Sequence, residues 1–305
     1  RLRTYRKDPE MFKSRYTEEK RITEDYNGRQ LLELLQNADD AKASEVSIDW
    51  DRKNQTLQIS NTGESFSIGG ISSLMLPSTS TKKGKHFIGN KGLGFRSVLN
   101  WANVVNIYCN DCKIMFSEQI ASKVFHEKLK LSDSDKRQLQ LDCDLNQDGI
   151  PFPVLGIPEV ALHQNADWAT TIRLDYKKAY EDKISNQIDE IKEEILLFLN
   201  NIKSLRIIID GEIYKEIACK KHPKLNQGYT LMEIGSKKWN VFDSGEIELP
   251  AEYQDRNNNT KESYSLKIAF NNFLDDDYKR LFNYFPTKVK IDLPCIIHGT
   301  FDISS

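Results

Sequence analysis

The sequence predicts an α+β protein. Three observations carry that expectation. A strongly amphipathic helical pattern over residues 23–41 precedes the first strands. Short alternating apolar runs then arrive in adjacent pairs, as antiparallel strands do. A second helical pattern over about residues 177–201 separates this part from a later, strand-rich part. Three regions are therefore expected: an arm at residues 1–22, a first domain at 23–178, and a connecting helix with the start of a smaller α/β domain at 179–305.

The elements follow in order. Residues 1–22 are highly charged and read as an arm or a first helix. In the 23–41 pattern, Leu31, Leu32, Leu34, Leu35 and Ala38 form a broad apolar stripe. "EVSIDW" and "TLQISN" are short alternating strands joined by the turn "DRKN", and a short helix is expected over about residues 68–76. "PSTSTKKGKHF" has no periodicity and reads as a loop over residues 76–91. "IGNKGLGFRSVLNWA" is a glycine-rich turn feeding a helix, followed by the strands "VVNIYC" and "KIMFSE". Residues 118–165 are irregular, with one charged helix, and "ATTIRLDY" is a clear strand. After the second long helix come "SLRIIID", "EIYKEIA", "YTLMEI", "KWNVFD" and "SYSLKIAF", then a loop and strand in "YFPTKVKIDLPCIIHGTFDI".

With 29% charged residues and a net charge of −2, nothing global points to nucleic acid or an anionic surface. No apolar run reaches the length of a membrane span, and the charged opening "RLRTYRKDPE" is no signal peptide. An odd, scattered set of five cysteines fits a reduced, cytoplasmic compartment. The chain opens on Arg and stops within "GTFDISS", so a fragment of a longer protein is expected.

Four stretches carry chemistry. In "ELLQNADDA", Glu33 and Asn37 are one helical turn apart on one face. A carboxylate there can act as general base on a water, and an amide oxygen can bind Mg²⁺. In "ISNTGESF", the strand-end Asn61 can read the edge of an adenine, and Gly63 admits close backbone approach. In "IGNKGLGF", Gly89, Gly92 and Gly94 expose backbone N–H groups and a helix N-terminus to phosphates, without P-loop or Rossmann spacing. In "ATTIRLDY", Thr170 shares a face with Ile172 and Leu174, where a hydroxyl can hydrogen-bond a ligand. Each stretch alone also has an ordinary reading: a solvated Glu beside a satisfied Asn, a plain Thr-Gly turn, a glycine turn, and a strand Thr.

Together, in this order, the four resemble the motifs of the GHKL ATPases, the superfamily of gyrase B, the heat-shock 90 chaperones, histidine kinases and MutL. "YNGRQLLELLQNADDA", "NTGESF", "IGNKGLGFRSV", "LLFLNNIKSLRI" and "FPTKVKIDLPCIIHGTFDISS" are most similar to the sacsin-type and NO VEIN-type modules. The resemblance implies a two-layer α/β sandwich, with a mixed sheet covered by helices on one face, that binds ATP and Mg²⁺. Glu33 takes the place of the catalytic base and Asn37 that of the Mg²⁺ ligand, with Asp40 and Ala41 completing the motif. Asn61, Gly63 and Thr170 fall at the adenine. Gly89, Lys91, Gly92, Leu93, Gly94 and Phe95 fall at the phosphates, and residues 76–91 become a lid. Lys288 on a late loop loosely resembles a γ-phosphate sensor, with a solvated lysine as its ordinary reading; Lys82, Lys83 and Lys85 in the lid and Lys91 in the turn are the alternative phosphate contacts.

The implied activity is Mg-dependent ATP hydrolysis driving lid closure and homodimerisation in a larger chaperone-like or anti-phage defence protein. Any nucleic acid would engage other domains, and no membrane is involved. The alternatives are a nucleotide-binding switch with little turnover and a scaffold domain. Two departures stand out: Asn61 replaces an Asp, and Ser65 replaces a glycine.

Three signals are set aside. "DLNQDGIPFPVL" opens like an EF-hand loop but has Leu155 where Glu should be, so it reads as a polar turn. Cys109 and Cys112 bracket a hairpin turn rather than a metal. The five histidines have no ligand spacing.

Overall fold

The computed structural model describes residues 1–25, 28–75, 94–164, 167–223, 229–250, 263–272, 274 and 276–299. The chain divides into two compact units. The first comprises Arg1–Asp189 with Ile207–Tyr214, and the second Glu190–Arg206 with Lys215–Ser305. The fold class is α+β, as expected. Among the described residues no helix is long and apolar enough to cross a membrane.

The first unit opens with α1 (Leu2–Lys7), α2 (Pro9–Asp25) and α3 (Gln30–Asp40). Residues 1–22 thus form α1 and most of α2. Tyr5 and Phe12 are fully buried with Phe125 and Phe152, in a cluster of edge-on aromatic rings. The single helix expected over residues 23–41 is two helices. Gly28 lies between them at φ +102°, a left-handed backbone that an α-helix does not contain.

β1 (Glu45–Asp51), β2 (Thr56–Asn61), α4 (Ile68–Leu74), β3 (Ala102–Cys109), β4 (Cys112–Ser117), α5 (Glu118–Lys123), α6 (Asp133–Asp142), β5 (Glu159–Leu162), β6 (Thr170–Tyr176) and α7 (Glu181–Asp189) follow. Where the glycine-rich stretch is expected to feed a helix, the described residues form a 3₁₀ helix, Gly94–Asn100. The strands run in the order β1-β2-β6-β3-β4-β5, with antiparallel registers.

Because side chains alternate along a strand and opposed residues share a face, rows across this sheet alternate between its two faces. Ile48, Ile59, Ile172, Ile107 and Ile114 make a buried row, and so do Trp50, Leu57, Leu174, Val105 and Phe116. The intervening rows are polar, including Asp49, Gln58, Arg173 and Asn106. One apolar and one polar face is the pattern of a two-layer sandwich.

The long helix expected over residues 177–201 does not form. α7 ends at Asp189, Lys192 is extended (φ −108°, ψ 173°), and only a short 3₁₀ turn follows. Residues 195–199 are all buried, and five consecutive buried side chains cannot lie on one face of a helix.

The second unit contains β7 (Ser204–Ile209) and β8 (Glu212–Lys221) in part, then β9 (Tyr229–Ile234), β10 (Lys237–Glu248), β11 (Ser263–Phe270), β12 (Arg280–Asn283), β13 (Phe285–Lys290) and β14 (Ile296–Gly299). Its strand order is β13-β12-β14-β11-β10-β9-β8, and the parallel β12–β14 pair makes the sheet mixed.

Candidate functional site

α3 is held by its apolar stripe. Leu31, Leu34, Leu35 and Ala38 are buried, while Glu33, Asn37 and Asp40 are half-buried. Those three lie at i, i+4 and i+7, in one polar line along the helix. The first turn is secured from α7: the Gln187 Oε1 accepts the Leu31 N–H at 3.0 Å, and the Gln187 Nε2 donates to the Gln30 Oε1 at 2.7 Å. This satisfies one of the N–H groups a helix start leaves open.

The C-terminal end of α3 meets the turn after β2. The Ala41 carbonyl accepts the Glu64 N–H at 2.6 Å. A Cβ on Gly63 would stand 2.9 Å from the Ala43 nitrogen and closer still to the Ala41 carbonyl oxygen. No other residue fits there without moving backbone. Asn61 is 6% exposed, and its Oδ1 accepts the Gly63 N–H at 3.0 Å. Ser65, at the position of the missing glycine, donates its hydroxyl to the Ala169 carbonyl at 2.7 Å. That bond ties the turn to the residue before β6, a role a glycine could not fill.

Thr170 opens β6 directly opposite Asn61, with Cys109 of β3 on its other side. Val46, Asn61, Thr170 and Cys109 therefore form one row on the apolar face. Thr170 is 3% exposed, and its Oγ1 is buried without a hydrogen-bond partner. Such a group costs about 1–3 kcal/mol until something bonds it. It stands beside the Asn61–Gly63 turn, where a ligand edge with donors and acceptors would satisfy it. Burial pushes the neighbouring Cys109 thiol up, and the charge of Cys112 adds to this.

Gly89, Lys91, Gly92 and Leu93 fall outside the described residues, as do Lys82, Lys83, Lys85 and the whole of the expected lid at 76–91. Gly94 begins the 3₁₀ helix and Phe95 is buried. Arg96, unremarked in the sequence, is 2% exposed. Its Nη2 donates to the Leu74 carbonyl at 2.8 Å, and its Nη1 lies 3.6 Å from the buried Glu19 carboxylate. Glu19 also accepts the Val154 N–H at 2.6 Å and the Leu155 N–H at 3.2 Å. Burial raises the Glu19 carboxyl and lowers the Arg96 guanidinium, and their mutual attraction opposes both shifts. Nothing in "YTEEKR" distinguishes Glu19 from Glu18, so no sequence signal marked this tie.

Lys288 belongs to the second unit. It lies on β13, not on a loop, and is exposed. Buried Phe285 and Thr287 alternate with outward neighbours, and Pro286 is tolerated because β13 ends the strand order.

The EF-hand-like stretch is closed by a side chain. The Gln140 amide donates to the Gln147 and Gly149 carbonyls at 2.8 and 2.9 Å. Cys109 and Cys112 pair across a two-residue turn whose Asn110 and Asp111 both have positive φ. Among the described residues, no group of three His, Cys, Asp or Glu is placed to hold a metal.

No protein-family model matches the chain. Over 221 residues it is 26% identical to Protein NO VEIN of Arabidopsis thaliana, covering 66% of this chain and 7% of that protein. That relative is of the type the motifs resemble. Among solved structures, the ATPase region of Saccharomyces cerevisiae topoisomerase II matches at 9% identity with a TM-score of 0.39, over 70% of this chain and 57% of that one. The ATPase and transducer domains of topoisomerase II from Balamuthia mandrillaris match at 12% identity with a TM-score of 0.38, over 71% and 56%. The chain thus spans a small part of the curated relative and under two thirds of these structures.

Proposed function

We propose that the first unit is a GHKL-type module that binds ATP and hydrolyses it. The observation that carries this reading is the Asn61–Thr170 row. A buried hydroxyl without a partner stands opposite a strand-end amide, beside a glycine whose Cβ position is filled by the end of α3. This is a polar pair on an otherwise apolar sheet face, and the same helix end leads back to Glu33, Asn37 and Asp40.

In this reading adenine meets Asn61 and Thr170. The Asn61 Oδ1 has one lone pair on the Gly63 N–H, which leaves the other for an exocyclic amine. Glu33 orients a water and accepts its proton. The glycine motif around Gly89, Gly92 and Gly94 supplies backbone N–H groups to the phosphates. Asn37 fits a Mg²⁺ that keeps waters and phosphates as its other ligands, as that ion usually does, and the ion would neutralise phosphate charge. The wider role, as a conformational motor in a larger chaperone-like or defence protein, rests on the sequence resemblance.

The test is a thermal melt with and without Mg-ATP, followed by phosphate release. At saturating nucleotide the melting temperature should rise, and phosphate should appear. A shift without phosphate favours the switch. No shift at ATP far above millimolar favours the scaffold.

A further inference from the structure

The cysteine pair set aside above lies in the same row as Thr170. Cys109 faces Thr170 on one side and Cys112 on the other. Directly opposed residues of antiparallel strands have Cα atoms about 4.5–5.5 Å apart, inside the roughly 4.4–6.8 Å that a disulfide spans. Their side chains leave the sheet on the same face. The turn between them is pinned: Asn110 Nδ2 donates to the Phe66 carbonyl at 2.7 Å, and the Asp111 carbonyl accepts the His163 N–H at 2.8 Å. Both thiols are free; Cys109 is buried and Cys112 half-buried. Through the Asn110 bond this turn is tied to Phe66, at the end of the segment that carries Gly63.

We propose that Cys109 and Cys112 form an oxidation site that closes to a disulfide in the same sheet row as Asn61 and Thr170. With a hydroperoxide as oxidant, the Cys112 thiolate attacks the O–O bond. It becomes a sulfenic acid, and with hydrogen peroxide one water leaves. The Cys109 sulfur then attacks that sulfur, loses its proton, and a second water leaves. Two thiols and one hydrogen peroxide give one disulfide and two waters. Cys112 is the sulfur that peroxide reaches, and Cys109 is the sulfur placed to resolve it. The bond draws the Cys109 sulfur toward Cys112 and away from Thr170, strains the turn that Asn110 ties to Phe66, and so loosens the segment that carries Gly63. The effect on nucleotide rests on the ATP reading; the disulfide itself does not.

The experiment treats the reduced chain and C112S with hydrogen peroxide, then measures peptide mass after trypsin and binding of a fluorescent ATP analogue. Both cysteines fall in one tryptic peptide, which ends at Lys113. The expected result is loss of two hydrogens from that peptide, an affinity lowered roughly tenfold, and recovery of both with dithiothreitol. C112S should bind as the reduced chain does and ignore peroxide. If the peptide keeps both thiols while Cys143 oxidises, the site is overturned. If the disulfide forms and affinity is unchanged, its link to the Asn61–Thr170 row is overturned. Should the reduced chain bind no ATP, the ATP reading fails, and the peptide mass still decides whether the disulfide forms.

Discussion

Two buried polar groups without hydrogen-bond partners sit in the two units, and they differ in company. Thr170 lies in a row with Asn61, next to the bare Gly63 and the Ser65 tie. His298, in β14 of the second unit, is 0% exposed, and neither ring nitrogen has a hydrogen-bond partner. Its neighbours are rings: Phe198 stacks at 4.8 Å and Tyr284 meets it edge-on at 4.8 Å. An unsatisfied polar atom marks a ligand position only where other polar groups and backbone space converge on it. Among aromatic rings it is a cost to stability.

The comparison can be broken in several places. The largest effect belongs to Glu33→Ala, which leaves the Asn61–Thr170 row intact. Phosphate release should fall about 10²–10⁴-fold, while ATP affinity stays near the parent value. Parental turnover would remove Glu33 from the chemistry.

Next is Gly63→Ala, which forces a methyl onto the Ala41 carbonyl. Overpacking of this kind costs about 1–3 kcal/mol. Chemical denaturation should show the loss, together with weaker ATP binding. A variant as stable as the parent would mean that the end of α3 yields easily.

His298 sharpens the other side. Burial, helped by nearby Lys267, lowers its pKa to about 3, with Asp243 opposing. A depressed folded-state pKa means the unfolded chain binds the proton first. The stability this group permits is therefore complete above about pH 6.5 and lost as pH falls toward 3. The loss is about 1.4 kcal/mol per pH unit for one proton. His298→Phe should flatten that acid limb in urea melts and leave ATP affinity alone. An unchanged acid limb would show that the imidazole finds a partner in solution.

Smallest in energy is Thr170→Val, which deletes the hydroxyl and keeps the shape. In the nucleotide-free protein it should be neutral or slightly stabilising, because an unpaired buried hydroxyl is lost.

Much of this was legible in the sequence because it follows periodicity. The stripe Leu31, Leu34, Leu35, Ala38 fixed which way α3 faces, and Glu33, Asn37 and Asp40 had to share what remained. Strand alternation likewise put Thr170 on the face of Ile172 and Leu174. The facing of Asn61 and Thr170 is a register between distant strands, which neither strand encodes alone. The Glu19–Arg96 tie was invisible for a related reason: one glutamate in a charged run is recruited by residues far away in the chain. The helix expected over residues 177–201 failed because apolar content was read as helix. A run buried on every side has no helical period to detect.

The most direct measurement is calorimetric titration of ATP with Mg²⁺ into the parent chain and into Thr170→Val. If the Asn61–Thr170 row receives adenine, the parent binds one ATP and the variant binds roughly tenfold more weakly, about the worth of one hydrogen bond. Equal affinities, or no binding by a folded parent chain, would contradict the assignment of this row to the nucleotide.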